Sequence, residues 1–137
     1  MFSVIVPTYN NIDYLKICLN SLKKNSLYDH EIIIHVNEGL DGTLDYVKEK
    51  KFNFSYSKIN SGVCVAFNEA VKKSTKEYIV LAHDDMYFCP KWDEIFYKEL
   101  KKHPNNKDFF LSGTMVQPFK SYIFLDYGKT KNDFDEK

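Results

Sequence analysis

The sequence predicts an α/β fold, a three-layer sandwich with a mainly parallel central sheet and helices on both faces. Three observations carry this. Short runs rich in β-branched and apolar residues recur four times along the chain, each of strand length. Each is followed by a segment whose apolar residues fall at helical spacing. Asparagine, aspartate or glycine stands at every junction between the two, where the chain must turn. Strands that alternate with helices in this way pair in parallel, with the helices packed over the sheet.

The first run, Phe2–Pro7, contains Val4, Ile5 and Val6, as expected of a strand covered on both faces. Asn10 and Asn11 follow and can cap a helix. Ile12, Leu15, Cys18, Leu19 and Leu22 then repeat at helical spacing as far as Lys24. Glu31–Val36 is a second strand, broken by Gly39 and Gly42, and Thr43–Lys50 a short helix with Leu44 and Val47 inward. Phe52–Ser57 alternates as a third strand. Ser61 and Gly62 open a helix with Val63, Ala66, Phe67, Ala70 and Val71 on its buried side, and Glu77–Ala82 is the fourth strand. Pro90 suits the first turn of a helix that carries Trp92, Ile95, Phe96 and Leu100. Asp108–Val116 reads as one further strand. The domain is expected to cover residues 1–126, with the polar stretch 127–137 as a frayed tail.

A chain of 137 residues holds one domain, or part of a larger one. Its 44% hydrophobic and 28% charged residues are those of a folded domain rather than a disordered chain. Lys+Arg and Asp+Glu both number 19, and every one of those cations is lysine. A nucleic-acid partner is not expected, because binding phosphate backbones usually needs a basic excess. A bidentate guanidinium clamp on phosphate is absent too. Cys18, Cys64 and Cys89 show no CxxC and no zinc-site spacing, and read as reduced thiols. The apolar start Met1–Pro7 lacks the basic lead and small-residue cleavage site of a signal peptide. No run of about 18 apolar residues occurs that would span a bilayer. The expected location is the cytoplasm, either free or peripheral at the membrane.

Right-handed crossovers gather the strand-to-helix loops along one edge of a parallel sheet, and ligands bind beyond the carboxyl ends of its strands. That singles out Thr8–Asn11, Asn37–Thr43, Asn60–Gly62 and His83–Pro90. Tyr9 either stacks on a base or is the half-buried ring of an ordinary turn, and Thr8 and Asn10 offer hydrogen bonds. Asn37 can accept a hydrogen bond from a base N–H. Alternatively its loop is a glycine-rich turn in which Asp41 or Thr43 caps the next helix. The glycine spacing there fits neither GxGxxG nor a Walker loop. Asp84 and Asp85 are adjacent carboxylates with no lysine nearer than Lys76 and Lys91. Such a pair is unfavourable unless a cation joins it, and a divalent ion shared with substrate phosphates meets that need. The alternative is that one aspartate caps the next helix, although Pro90 marks that helix start too far downstream. His83 is either a ligand or a packed or solvated imidazole.

Taken in order, these segments resemble glycosyltransferase family 2, with its GT-A fold. The matching stretches are Ser3-Val-Ile-Val-Pro-Thr-Tyr-Asn10, the turn Asn37–Thr43, and Asn60-Ser-Gly62 followed by Ala66-Phe-Asn68-Glu-Ala70. The last is Glu77-Tyr-Ile-Val-Leu-Ala-His-Asp-Asp-Met86 with Pro90. The resemblance covers residues 2–118. It implies a glycosyltransferase of hexosyltransferase type that uses a nucleotide-diphospho-sugar, most often uridine-based. A divalent cation, Mn²⁺ or Mg²⁺, is implied with it, as is an inverting displacement by an acceptor hydroxyl. The acceptor would be a glycan, a lipid or a protein.

By that resemblance, Pro7, Thr8, Tyr9, Asn37, Gly62 and Asp84 bind the nucleotide and Asp85 binds the metal. Tyr9 would stack on the base and Asp84 would lie near the ribose. The chain departs from the family's pattern at several places, and the Asn37–Thr43 turn is one residue shorter than the commoner form. Asn37 stands where the family usually has an aspartate that bonds the base. His83 replaces the first acid of the acidic motif, and Phe67 replaces a common basic residue before Asn68. The chain ends at Lys137, before the family's acceptor half and catalytic base are expected. It therefore reads as a donor-binding half or an unusually short member, and Asp126, Asp133, Asp135 and Glu136 have no context that marks a base. Phe109, Phe110, Phe119, Tyr122 and Phe124 are candidates for an exposed apolar patch and for self-association. Two other readings stay open: a nucleotide-sugar-binding module without turnover, and a metal-independent interaction domain whose aspartate pair is only a loop.

Overall fold

The structure is a computed structural model, and it describes residues 1–103 and 110–113. Four strands, β1 (Phe2–Tyr9), β2 (Glu31–Asn37), β3 (Asn53–Ser57) and β4 (Tyr78–Leu81), alternate with α1 (Ile12–Asn25), α2 (Thr43–Glu49), α3 (Val63–Val71) and α4 (Trp92–Leu100). All strand pairs are parallel, in the order β3-β2-β1-β4. β1 and β2 are central and bury nearly every residue, which accounts for their unbroken apolar runs. Among the described residues β3 and β4 are the outer strands, and both show mixed burial. The predicted α/β class with a parallel sheet is therefore the observed one.

The order fixes where the helices go. Two successive moves in one direction, β1 to β2 to β3, put α1 and α2 on the same face when each crossover is right-handed. The return from β3 past both central strands to β4 puts α3 on the other face. On that face Ile5, Ile33 and Ala70 form a buried cluster with Phe67 and Val71 packed against it. Ile5 and Ile33 are register partners, so they stand side by side under α3. Val4, Val6, Ile34 and Val36 are fully buried on the opposite face, and α1 contributes the buried stripe Leu15, Cys18, Leu19 and Leu22. Burying a side chain of this size contributes about 1.5–3 kcal/mol.

The amino ends of the strands are tied by a second buried group. Asp93, fully buried, accepts from the backbone N–H groups of Leu27 and Tyr28 at 2.8 and 2.9 Å and lies 3.0 Å from His30 Nε2. Burial alone would raise the Asp93 pKa, but its hydrogen bonds outweigh that and hold it below the usual carboxylate value. His30 stacks on Phe2, which also meets Trp92. This cluster explains the aromatic residues at Phe2 and Trp92, far from the carboxyl edge. Met1–Asp93 form one compact unit and residues from Glu94 a second. In the second unit, Lys98 pairs with Glu94 on the exposed side of α4. No helix among the described residues is long and apolar enough to cross a membrane.

The structure corrects several local expectations. Val63, expected inward, is 47% exposed, because α3 begins there at the open end of the sheet. Ile95 is 67% exposed, and Trp92 is the buried anchor of that helix instead. Pro90 lies in a turn before α4 rather than in its first turn: Trp92 N–H donates to the Cys89 carbonyl, and Lys91 takes a left-handed φ of 62°. Of the expected strand Asp108–Val116, residues 110–113 are described and are not strand, and the rest lies outside the described residues. So do the tail 127–137, the acids Asp126, Asp133, Asp135 and Glu136, and every member of the apolar patch except Phe110, which is exposed.

Two measurable consequences follow from burial. Cys18 is buried, and its thiol is raised to about 12, first by desolvation and then by the nearby negative charges of Asp84 and Asp85. Cys64 and Cys89 are exposed. A thiol reagent at neutral pH should modify two cysteines quickly and Cys18 only after denaturation; rapid reaction of all three would contradict this packing. His30 and His35 both have pKa values lowered from 6.5, chiefly by desolvation, so the folded chain keeps them neutral. The unfolded chain then takes up these protons first, and stability is full above about pH 6.5 and declines below it. Melting temperature should therefore fall as pH is lowered through the sixes, and a flat profile there would contradict the neutral buried imidazoles.

Candidate functional site

The carboxyl ends of β1, β2 and β4 bring the predicted residues to one edge. Parallel register sets Tyr9 beside Asn37, and it sets Ile5 beside Leu81 at the end of β4. Ala82 N–H donates to the Ile5 carbonyl at 3.0 Å, so the chain leaving β4 runs alongside the last residues of β1. There Thr8, almost fully buried, donates its hydroxyl to Asp84 Oδ2 at 2.6 Å. Asn11 supplies a second side-chain hydrogen bond to the same carboxylate.

Asp84 and Asp85 differ in their surroundings. Asp84 is half-buried, and its pKa is raised: desolvation is the main cause, Thr8 and Asn11 oppose it, and the Asp85 charge adds to it. Asp85 is exposed and forms no hydrogen bond or ion pair with any described residue. The segment turns tightly, with Met86 N–H donating to the His83 carbonyl at 3.2 Å. His83 packs edge-on against Phe67 at 5.7 Å between ring centroids. Among the described residues no group of three or more His, Cys, Asp or Glu side chains could enclose a metal by itself. An exposed carboxylate beside a second, desolvated one is an unbalanced pair of oxygen donors. That suits a hard cation shared with a phosphate ligand, and not a closed protein cage.

The loops behind the edge are cross-braced. Asn10, at φ 46°, accepts from Leu40 N–H at 2.7 Å and donates to Glu38 at 3.3 Å. Glu38 also accepts from Asn60 N–H at 3.3 Å. Asp41 accepts from Ile12 N–H at 2.8 Å and from Thr43 N–H and hydroxyl at 3.1 and 2.6 Å. It thus takes the first backbone N–H of both α1 and α2. Asn11 holds the cap position of α1, yet its side chain makes no cap bond; Asp41 takes that task and Asn11 turns to Asp84. Gly39, at φ 76°, needs its missing side chain, since a Cβ would come within 2.8 Å of Val36 Cγ1. That glycine serves the turn, whereas a Cβ on Gly62 would meet nothing within 4 Å, and only its φ of 80° argues for glycine.

Each predicted nucleotide-binding residue has a defined place. Pro7 is buried in β1 opposite His35, and Tyr9 is 48% exposed at the strand end. Asn37 is 3% exposed, and its Oδ1 accepts from both Ser61 N–H at 3.0 Å and Ser61 hydroxyl at 2.9 Å. That oxygen is thus engaged by Ser61 within the protein. Gly62 follows Ser61 directly and donates its N–H to Asn60 Oδ1 at 3.0 Å. Sequence reasoning missed His35, which is fully buried and bridges Ser55 Oγ at 2.8 Å and Ser57 Oγ at 3.1 Å. Its signal lay in the alternation of β3, where Ser55 and Ser57 face the same side as His35. Ser61 and Asp41 were within the chosen loops, but only the folded chain shows which partners they reach.

Comparison with known proteins agrees with this architecture. The family model for glycosyl transferase family 2 matches residues 3–118. A putative teichuronic acid biosynthesis glycosyltransferase of Bacillus subtilis (strain 168), TuaG, is 30% identical over 97% of this chain and 51% of its own length. The chondroitin synthase of Pasteurella multocida (strain Pm70) is 28% identical over 93% of this chain but only 14% of its own length. S. aureus TarS 1-349, solved in complex with UDP, superposes with a TM-score of 0.67 at 28% identity, covering 75% of this chain and 32% of that one. A mannosyltransferase from Pyrobaculum calidifontis, solved with GDP-Man and Mn²⁺, has a TM-score of 0.60 at 23% identity over 69% of this chain and 30% of that one, which shows a shared fold alone. The chain spans about half of one of these relatives and a third or less of the others. With a sheet of this order and a family match over most of its length, the chain has the GT-A fold and belongs to glycosyltransferase family 2.

Proposed function

We propose that this chain binds a nucleotide-diphospho-sugar, uridine-based, and serves a protein that transfers the sugar to an acceptor hydroxyl with inversion. The observation that carries the reading is the unequal aspartate pair. Thr8 and Asn11 anchor Asp84, while Asp85 stands exposed and unpartnered among the described residues, at the edge where Tyr9 offers an open ring. Asp85 would hold Mn²⁺ or Mg²⁺, with the diphosphate completing its coordination. A bound divalent ion supplies charge stabilisation for the departing diphosphate, worth several kcal/mol. Asp84 faces the ribose, Thr8 fixes its carboxylate, and Tyr9 stacks on the base. The alternative of a binding module without turnover shares this site and differs only in lacking a base.

Lysines are the chain's only strongly basic side chains, and none pairs with either aspartate among the described residues. With no guanidinium in the chain, the leaving group's charge would fall to the bound cation and a lysine. Titration with UDP in the presence and absence of Mn²⁺ should show binding that depends on the metal, and Asp85→Ala should abolish that dependence. Mn²⁺ alone should bind weakly, since Asp85 offers it only part of a shell. Equal UDP affinity with and without Mn²⁺, or an unaffected Asp85→Ala, would defeat the metal role. Tyr9→Ala should weaken nucleotide binding by about 1–3 kcal/mol through lost stacking, read from the same titration; an unchanged dissociation constant would remove Tyr9 from the site.

A further inference from the structure

Charge is unevenly divided between the two ends of the sheet, although the chain as a whole carries no net charge. The loops and first helical turns at the carboxyl edge hold Asp13, Glu38, Asp41, Asp45, Asp84 and Asp85, against Lys58. Crossover helices run against the strands of a parallel sheet, so α1 and α2 end at the amino edge. Lys23 and Lys24 lie in the last turn of α1 and Lys48 in that of α2, and Lys50 and Lys51 follow α2 directly. Contacts join these ends into one patch. Lys23 Nζ lies 4.6 Å from the ring centroid of Phe52, the residue after Lys51. Lys91 N–H donates to the Asn25 carbonyl at 2.8 Å, at the end of α1. All six lysines are exposed. Asp29 and Glu49 lie among them, and Glu49 pairs with Lys50 at 3.5 Å, which leaves lysine in clear excess.

Lysines at helix ends ordinarily offset the negative end of the helix dipole. That accounts for Lys23, Lys24 and Lys48. It does not account for Lys51 and Lys91, which lie outside the helices at left-handed φ angles of 55° and 62°, a conformation that favours other residue types. Apolar groups stand in the same patch. Leu27 is 54% exposed and Tyr28 46%, and both follow α1 closely. The buried Asp93 carboxylate accepts from the backbone N–H groups of both residues, so the loop that presents them is fixed in place.

We propose that this amino edge, through Lys23, Lys24, Lys51 and Lys91 with Leu27 and Tyr28, docks on a lipid surface that bears anionic head groups. Such a surface supplies both partners at once: negative groups for the lysines, and an interfacial layer that takes an aliphatic side chain and a tyrosine ring. The acidic edge does not oppose docking. The eight residues of β1 separate the two edges by roughly 25 Å, well beyond the screening length of about 8–10 Å. Docking of this kind needs no nucleotide.

The test is co-sedimentation of the full chain, without nucleotide, with vesicles of phosphatidylcholine alone and of phosphatidylcholine with about one third phosphatidylserine, at low and high salt. The chain should bind the anionic vesicles and lose binding as salt rises. Each lysine near such a surface strengthens binding by about fivefold. Lys24→Gln, Lys51→Gln and Lys91→Gln combined should therefore weaken it by about a hundredfold. Leu27→Ser should weaken it at either salt, and Lys58→Gln, at the opposite edge, should leave it unchanged. Circular dichroism shows that each variant is folded; if the triple variant is not, Lys51→Gln alone decides. No binding to anionic vesicles at low salt, equal binding to both kinds of vesicle, a folded triple variant that binds as the wild type does, or an equal loss in Lys58→Gln overturns the proposal. Pelleting without vesicles that the triple variant abolishes would assign the patch to a second copy of the chain, and overturns it too.

Discussion

One hydrogen bond organises the site, the one from the Thr8 hydroxyl to the Asp84 carboxylate. It spans two strands that adjoin only because the chain crosses back over the sheet from β3 to β4. Threonine at the end of β1 is buried, so its hydroxyl needs a partner, and a half-buried carboxylate needs donors. Each satisfies the other. The result is a fixed turn that presents the next side chain, Asp85, to solvent with no described partner. Were Asp84 unbonded, burial would favour its protonated form, and the negative corner would be weaker.

The rest of the edge is built on the same economy of polar groups. Asp41 takes one open N–H from each of two helices, and Asn11 turns to Asp84 instead. Asn10 and Glu38 accept left-handed backbone angles and in exchange bind three neighbouring segments together. Such strain persists where surroundings over-determine it and tends to mark functional edges. The amino end of the sheet is held by different means, a buried Asp93–His30 contact and a group of aromatic rings. A closed buried cluster and an open polar edge therefore occupy opposite ends of the same strands.

Much of the fold was legible because periodicity reports burial. The β-branched runs of β1 and β2 read as strands because both faces are covered, and the stripe Leu15, Cys18, Leu19, Leu22 read as a helix because one face is. Edge regions were less legible. Val63 and Ile95 carry apolar side chains outward, and periodicity cannot tell an apolar residue at a helix end from one in the core. Pro90 sits two residues before its helix because Lys91 interposes a left-handed turn, which no local preference of lysine foretells. At the site, Tyr9 and the aspartate pair stood out by type and place. The partners of Asn37 did not, because Ser61 reaches it from a loop far along the chain. His35 was hidden by a strand that looked uniformly apolar. Hydrogen-bond assignments between distant segments are properties of the packed chain and leave little trace in local pattern.

The central claim is that Asp85, set in place by the Thr8–Asp84 bond, carries the cation that meets a nucleotide diphosphate. Anomalous diffraction at the manganese edge, from crystals soaked with UDP and Mn²⁺, tests it most directly. The expected map has one manganese peak against the Asp85 carboxylate and the diphosphate, with the base over Tyr9. A manganese peak away from Asp85, or a nucleotide bound at this edge with Asp85 paired to a lysine, would contradict it.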